Sequence, residues 1–235
     1  MPHLPIRLAV FDIAGTTVHD ERYVHKAFVS AFAVYSMPVT LEDAAGVMGL
    51  EKHNAIHSLL LKYEEYDKAE DPTWVERIYV RFQEAMQTFY RESPEVRPTA
   101  NAEETFAALR KMHIKVALNT GFASAITQII IERLGWDEVV DYWISSDEVP
   151  KGRPHPYMIQ TLMEDAEIGS PLEVVKIGDT VADMEEGINA GCAFVVGVTT
   201  GNCTAEELKA AKATHVIRIL SDLVPIIAGH NKSAS

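Results

Sequence analysis

Hydrophobic positions along the chain follow two alternating patterns. Short apolar runs at Ile6 to Phe11, Lys115 to Leu118, Val174 to Ile177 and Ala193 to Val198 are too brief for helices, and polar turn residues follow each one. They predict buried strands, and Tyr142-Trp143-Ile144 before Ser145-Ser146-Asp147 offers a fainter fifth. Between the runs the period lengthens. Glu103 to Met112 sets Phe106 and Leu109 three apart on one helical face, and Ala125 to Leu134 carries an apolar stripe that stops at Gly135. Tyr157 to Glu164, Asp183 to Ala190 and Ala205 to Ala211 each close a further strand-helix unit. Strands alternating with helices predict an α/β fold, a parallel sheet wrapped by helices on both faces. Right-handed crossovers place all strand C-termini on one edge, where open α/β sheets bind ligands.

Residues 20 to 95 break the alternation. Tyr23 to Tyr35, Leu41 to Val47, Lys52 to Tyr66 and Thr73 to Tyr90 all read as helices, which predicts an α-helical insertion between the first and second core strands. Pro94 and Pro98 mark the return to the core, so the expected division is a core of 1–19 and 96–235 with a helical cap of 20–95. The polar end, Asn231 to Ser235, is expected to fray.

Composition narrows the class. At 235 residues, with 47% hydrophobic and 23% charged positions, the chain suits one large globular domain or a domain carrying an insertion. No apolar run is long enough for a membrane helix. The two cysteines, Cys192 and Cys203, make no disulfide framework, and without a secretory leader a reducing cytoplasm is expected. On that ground Asn202-Cys203-Thr204 and Asn231-Lys232-Ser233 are chance matches to the glycosylation triplet. A net charge of −13 argues against a nucleic-acid partner, which needs a basic face. It also sets a condition on any anionic substrate: a metal and local cations must reverse the field inside the site.

Candidate chemistry sits at the strand ends. Asp12 ends the first run beside Ala14-Gly15-Thr16-Thr17, Thr120 ends another before Gly121, and Asp179 and Asp183 lie four apart after a third. Arg153 in Lys151-Gly152-Arg153-Pro154 adds a cation. A lone aspartate there is usually a cap or turn former. Carboxylates, a hydroxyl and a cation converging on one sheet edge are instead what metal-assisted phosphoryl transfer requires, and hard oxygen ligands suit Mg²⁺. The nine histidines show no His-x-x-x-His zinc pairing with an intervening glutamate, and the aromatics Tyr63, Tyr66, Trp74, Tyr79 and Phe82 are explained by packing.

Asp12-Ile13-Ala14-Gly15-Thr16-Thr17, Asn119-Thr120-Gly121, Gly152-Arg153-Pro154 and Gly178-Asp179-Thr180-Val181-Ala182-Asp183 resemble the four ordered motifs of the haloacid dehalogenase superfamily, over about residues 6 to 201. The resemblance implies a Rossmann-like three-layer core with an inserted helical cap, and a hydrolase. It implies that Asp12 is a nucleophile forming an aspartyl-phosphate. Mg²⁺ would lie on Asp12, the Ala14 carbonyl and Asp179, with Asp183 supporting its water shell. Thr120 and Arg153 would hold phosphate, with Thr16, Met48, Gly49 and Gly121 lining the substrate. Superfamily phosphatases place a second aspartate where this chain has Ala14, and a methyl group can neither donate nor accept a proton. Alanine there, with Asp-x-Ala-Gly-Thr-Thr, is similar to the phosphonatase-like branch, which breaks a P–C bond. In that branch a cap lysine forms a Schiff base with a substrate aldehyde, and Met48-Gly49-Leu50-Glu51-Lys52 resembles the segment that bears it, making Lys52 the matching residue. Ala55 and Phe122 depart from the branch's best-known pattern.

The leading expectation is therefore phosphonoacetaldehyde-type P–C cleavage. The alternatives are a phosphatase of small phosphate monoesters, or a binding protein that kept the site without its chemistry. A homodimer through Phe28, Phe32 and Tyr35 is weighed equally against core packing of the same residues.

Overall fold

The computed structural model describes residues 4–234. Six strands form one parallel sheet: β1 (Leu8–Asp12), β2 (Lys115–Thr120), β3 (Tyr142–Ser145), β4 (Val174–Gly178), β5 (Phe194–Val198) and β6 (His215–Ile217). Their order is β3-β2-β1-β4-β5-β6, so the chain works outward from β1 in both directions. That reversal at β1 is the switch point of a doubly wound sheet, where diverging connections leave a crevice beyond the strand ends. β1 is buried along its whole length, as its unbroken apolar run requires. Register sets Asp12 level with Asn119 on β2. Phe11 pairs with Ile177 on the other side, which brings the turn after β4 beside Asp12.

Six helices separate β1 from β2, and the first five form the inserted stretch: α1 (Tyr23–Ala33), α2 (Leu41–Ala45), α3 (Lys52–Lys62), α4 (Tyr66–Glu70) and α5 (Pro72–Glu92). Each expected helix of this stretch is present, although the third breaks in two at Tyr63 to Glu65. Phe28 of α1 packs on Phe82 of α5 with ring centroids 4.5 Å apart, and Phe28, Phe32 and Phe82 are fully buried. Phe28 and Phe32 are thus core residues of this chain and offer no dimer surface. Around the sheet run α6 (Ala102–Lys111), α7 (Ser124–Leu134), α8 (Tyr157–Asp165), α9 (Val181–Ala190), α10 (Ala205–Ala210) and α11 (Leu223–Ala234). No helix among the described residues is long and apolar enough to cross a membrane.

The expected frayed end, Asn231 to Ser235, includes Ser235, which lies outside the described residues. Helix α11 runs to Ala234, and Asn231 is engaged within it: its Oδ1 accepts the Ile6 amide at 2.7 Å and its Nδ2 donates to the Ile6 carbonyl at 3.1 Å. One side chain thus satisfies the backbone of the residue leading into β1. Strand β6 and helix α11 themselves went unpredicted, being a three-residue edge strand and a helix with little amphipathic contrast.

Candidate active site

The C-terminal edge of the sheet gathers the expected residues. Asp12 ends β1, Thr120 ends β2, and Asp179 follows β4 at once. Asp183 enters from the first turn of α9, where Thr180 and Asp183 form a capping box: the Thr180 hydroxyl accepts the Asp183 amide at 3.2 Å. Threonine followed three residues later by an acidic residue is the sequence cause of that turn, and it aims Asp183 back under the strand ends. Asp12, Asp179 and Asp183 are all buried, and one oxygen of each lies within 4.8 Å of the others.

Two cations lie beneath this triad. Arg153, preceding a cis proline, is wholly buried. Its Nη1 donates to Asp12 Oδ1 at 2.7 Å and lies 2.8 Å from Asp183 Oδ1. Its Nε donates to Glu186 Oε2 at 3.0 Å, and Nη2 donates to the Asn119 carbonyl and Oδ1 at 2.7 and 2.8 Å. The expected phosphate-holding cation therefore has its guanidinium committed to protein oxygens, those of Asp12, Asp183, Glu186 and Asn119. Lys176, fully buried in the middle of β4, donates to Asn119 Oδ1 at 2.6 Å and lies 3.0 Å from Asp183 and 3.1 Å from Glu186.

Three buried carboxylates, Asp12, Asp183 and Glu186, thus face two buried cations, and a fourth, Asp179, adjoins Asp12 and Asp183. The excess of two negative charges in a dry site is what one divalent ion would neutralise. The titration of the groups agrees. Burial pushes the Asp179 carboxyl well up, with the Asp12 and Asp183 charges adding, while two hydrogen bonds from Asn202 oppose. Burial and Asp183 also raise Asp12, against the pull of Arg153. For Asp183, burial acts upward but the Arg153 and Lys176 charges outweigh it and hold the group low. The donor set is all oxygen and fits a hard cation.

Lys52 is the first residue of α3, behind the N-cap Glu51, whose carboxylate accepts the His53 and Asn54 amides at 2.9 and 3.0 Å. It is only 4% exposed. Its Nζ donates to the Leu50 carbonyl at 3.1 Å and lies 5.7, 6.0 and 5.4 Å from the ring centroids of Phe28, Phe82 and Phe122. Burial, then the Arg153 charge, lowers the ammonium to about 8, against the opposing pull of Asp12, Glu51 and Asp20. His53 contributes nothing to this, since its ring lies between Glu51 and Glu76 at 2.9 and 3.0 Å.

Lys52 and Asp12 line one cavity of about 20 Å³, together with Ala14, Met48, Gly49, Thr120, Gly121 and Arg153. Thr120 Oγ1 accepts the Phe122 amide at 3.2 Å, so its proton is available to a ligand. Thr16 lies behind the cavity wall and donates to Asp179 Oδ1 at 2.9 Å. The segment from Met48 to Leu50 presses directly on the core: a β-carbon at Gly121 would stand 2.7 Å from the Leu50 carbonyl oxygen. Gly49, with φ +79°, leaves room for the Thr180 hydroxyl in the same way.

Sequence reasoning missed four contributors. Lys176 was a visible signal, a lysine inside an otherwise apolar strand run. Glu186 lies three residues after Asp183, on the same helix face. Asn202, read only as part of a glycosylation triplet, donates through its amide and its Nδ2 to Asp179 Oδ2 at 2.7 and 2.8 Å. Asp20 lines the cavity from the loop before α1, and no pattern in the sequence marks it.

Fold and site together define a class. The chain matches the haloacid dehalogenase-like hydrolase family over residues 6–191 and belongs to it; it is an enzyme. Among its relatives, phosphonoacetaldehyde hydrolase from Bordetella pertussis is 30% identical over 258 aligned positions, covering 96% of this chain and 93% of the relative. Phosphonoacetaldehyde hydrolase from Parabacteroides distasonis is 33% identical over 205 positions, covering 82% and 76%. In fold it is similar to a phosphonoacetaldehyde hydrolase-like protein from Oleispira antarctica, with a TM-score of 0.84 and 22% identity over 99% of this chain and 95% of that one.

Proposed function

We propose that the enzyme is a cytoplasmic, Mg²⁺-dependent hydrolase of a small phosphonate aldehyde, cleaving its P–C bond as in phosphonoacetaldehyde hydrolysis. The observation that carries the reading is Lys52: a buried amine, poised near neutrality and walled by three aromatic rings, opening on the same cavity as Asp12. Residues 1–19 and 96–235 would act as the catalytic core and 20–95 as a helical cap that delivers Lys52.

Desolvation keeps part of the Lys52 population uncharged at neutral pH, and an uncharged amine can attack an aldehyde carbon. Loss of water leaves a protonated imine, which draws the P–C bonding electrons toward nitrogen as phosphorus departs. Asp12 receives the phosphorus. Because Arg153 holds Oδ1, the other carboxylate oxygen is the one free to attack. Thr120 would donate to a phosphonate oxygen, with the Gly121 and Met48–Gly49 backbone shaping the space around it. Thr16 serves Asp179 and reaches substrate only through it. Mg²⁺, held by Asp12, the Ala14 carbonyl and Asp179 with Asp183 behind, would offset the charge between carboxylate and phosphonate. The carbon fragment, left as an enamine on Lys52, takes a proton at carbon and is hydrolysed to acetaldehyde.

Lys52→Arg keeps the charge but cannot form an imine, so it should abolish aldehyde release while leaving fold and Mg²⁺ binding unchanged. Borohydride added to wild-type enzyme with phosphonoacetaldehyde should fix a substrate-derived mass on Lys52. Phosphate release from simple monoesters at rates matching the phosphonate, with no adduct, would replace this reading with a phosphatase.

A further inference from the structure

An aspartyl-phosphate must be hydrolysed before the next turnover, and hydrolysis needs a group that takes a proton from water. Ala14 supplies none. The ionisable side chains on the cavity wall are Asp12, Asp20, Lys52 and Arg153. Asp12 carries the phosphoryl group at that stage, Arg153 stays charged among buried carboxylates, and Lys52 is occupied by the carbon fragment or, when free, mostly protonated at neutral pH. Of the other nearby carboxylates, Asp179 accepts from Thr16 and Asn202 on its two oxygens, and Asp183 lies against Thr180, Arg153 and Lys176.

We propose that Asp20 is the base that activates water against phosphorylated Asp12. The inference rests on the aspartyl-phosphate part of the proposed function and is independent of the imine. Three features of its placement support it. Asp20 lies in the loop between β1 and α1, on the wall of the cavity that Asp12 lines. Its Oδ1 is fixed by the Tyr23 amide at 2.6 Å, which orients the carboxylate and leaves Oδ2 for water. Asp20 and Asn202 also line a second cleft of about 550 Å³, with Glu21, Arg22 and His25, so the residue stands between the small cavity and a much larger space. A proton taken on the inner side can leave by the outer one.

The surroundings also suit the task. Burial raises the Asp20 carboxyl to about 6, opposed by the Val24 amide and by His19, Lys26 and Lys52. The Tyr90 hydroxyl, raised by burial and by Asp20 and Asp12, stays protonated beside them. A carboxylate poised near neutrality is ionised in most molecules yet still basic enough to accept a proton. In the step itself, the water oxygen bonds to phosphorus as the bond from phosphorus to the Asp12 oxygen breaks. That electron pair returns to Asp12 as carboxylate, and the water proton passes to Asp20 and then to solvent in the outer cleft.

The test uses p-nitrophenyl phosphate with Mg²⁺, because nitrophenolate leaves without an acid and the assay needs no aldehyde. Asp20→Asn retains the oxygen that caps Tyr23 and should release one nitrophenolate per site at the wild-type rate. Steady turnover should then fall about 100-fold or more, with a phosphoryl mass accumulating on the Asp12 peptide. Asp20→Glu should restore part of the steady rate. Wild-type steady turnover by Asp20→Asn would overturn the proposal, as would an equal loss in burst and steady phases with no trapped phosphoenzyme. If Asp12→Ala still turns over, or wild-type enzyme never carries phosphate on Asp12, the underlying nucleophile assignment fails and Asp20's role falls with it.

Discussion

Arg153 Nη1 donates to Asp12 Oδ1 at 2.7 Å, beneath the strand ends and sealed from solvent. The guanidinium that meets the Asp12 carboxylate is braced by Glu186 and Asn119, so its position is inherited from β2 and α9 as well as from its own loop. The contact selects which carboxylate oxygen is free and keeps Asp12 from rising further in pKa.

Replacing Arg153 should therefore damage chemistry and stability together. Arg153→Met strips three buried carboxylates of a shared partner and should cost about 3–5 kcal/mol in chemical denaturation. Arg153→Lys retains the charge but cannot serve Glu186, Asn119 and Asp12 at once. Its kcat should fall on the order of 10²-fold with a smaller loss of stability. A lysine variant with wild-type kcat would show that the fork geometry is irrelevant.

Imine formation should follow the titration of Lys52. Burial lowers its ammonium to about 8, and the protonated form cannot attack, so adduct formation should climb roughly tenfold per pH unit below that point and level off above it. Initial rates of borohydride trapping at a series of pH values read this directly. A flat profile from acid to mildly alkaline pH would mean that the amine is not the titrating nucleophile.

Metal binding should register without any turnover. At about 100 times its Kd, Mg²⁺ should stabilise the folded chain by about 2.7 kcal/mol, visible as a raised Tm. Asp179→Asn should erase that rise while leaving the metal-free protein at least as stable, because it removes a buried charge that burial and two neighbouring carboxylates already disfavour. Asp12 and Asp179 both have raised pKa values and must lose protons to bind metal, so the effect should weaken as pH falls. An undiminished Tm rise in the asparagine variant would remove Asp179 from the ligand set.

The sheet was legible because buried parallel strands write themselves as short apolar runs, and a chemically distinctive residue ends β1 and β2 and follows β4 at once. Position in a parallel sheet then did the rest, bringing Asp12, Thr120 and Asp179 to one edge. The supporting layer was harder to read, since an asparagine on β2 or a glutamate on α9 acquires meaning only once Arg153 and Lys176 are seen between them. Arg153 illustrates the limit: its motif announced a cation at the site, but only the packing reveals that it faces carboxylates. Strand β6, with three residues and two of them half-exposed, left almost no apolar signature.

The tight seat of the Met48–Leu50 segment against Gly121 carries a cost in time. A space of about 20 Å³ admits about one water molecule, so under the proposed function the segment must move aside for substrate to enter. Each turnover would then unseat it twice, once to load and once to discharge. While seated, the segment leaves Lys52 and Asp12 a space with room for little more than one water, which shields both from stray electrophiles whatever their size.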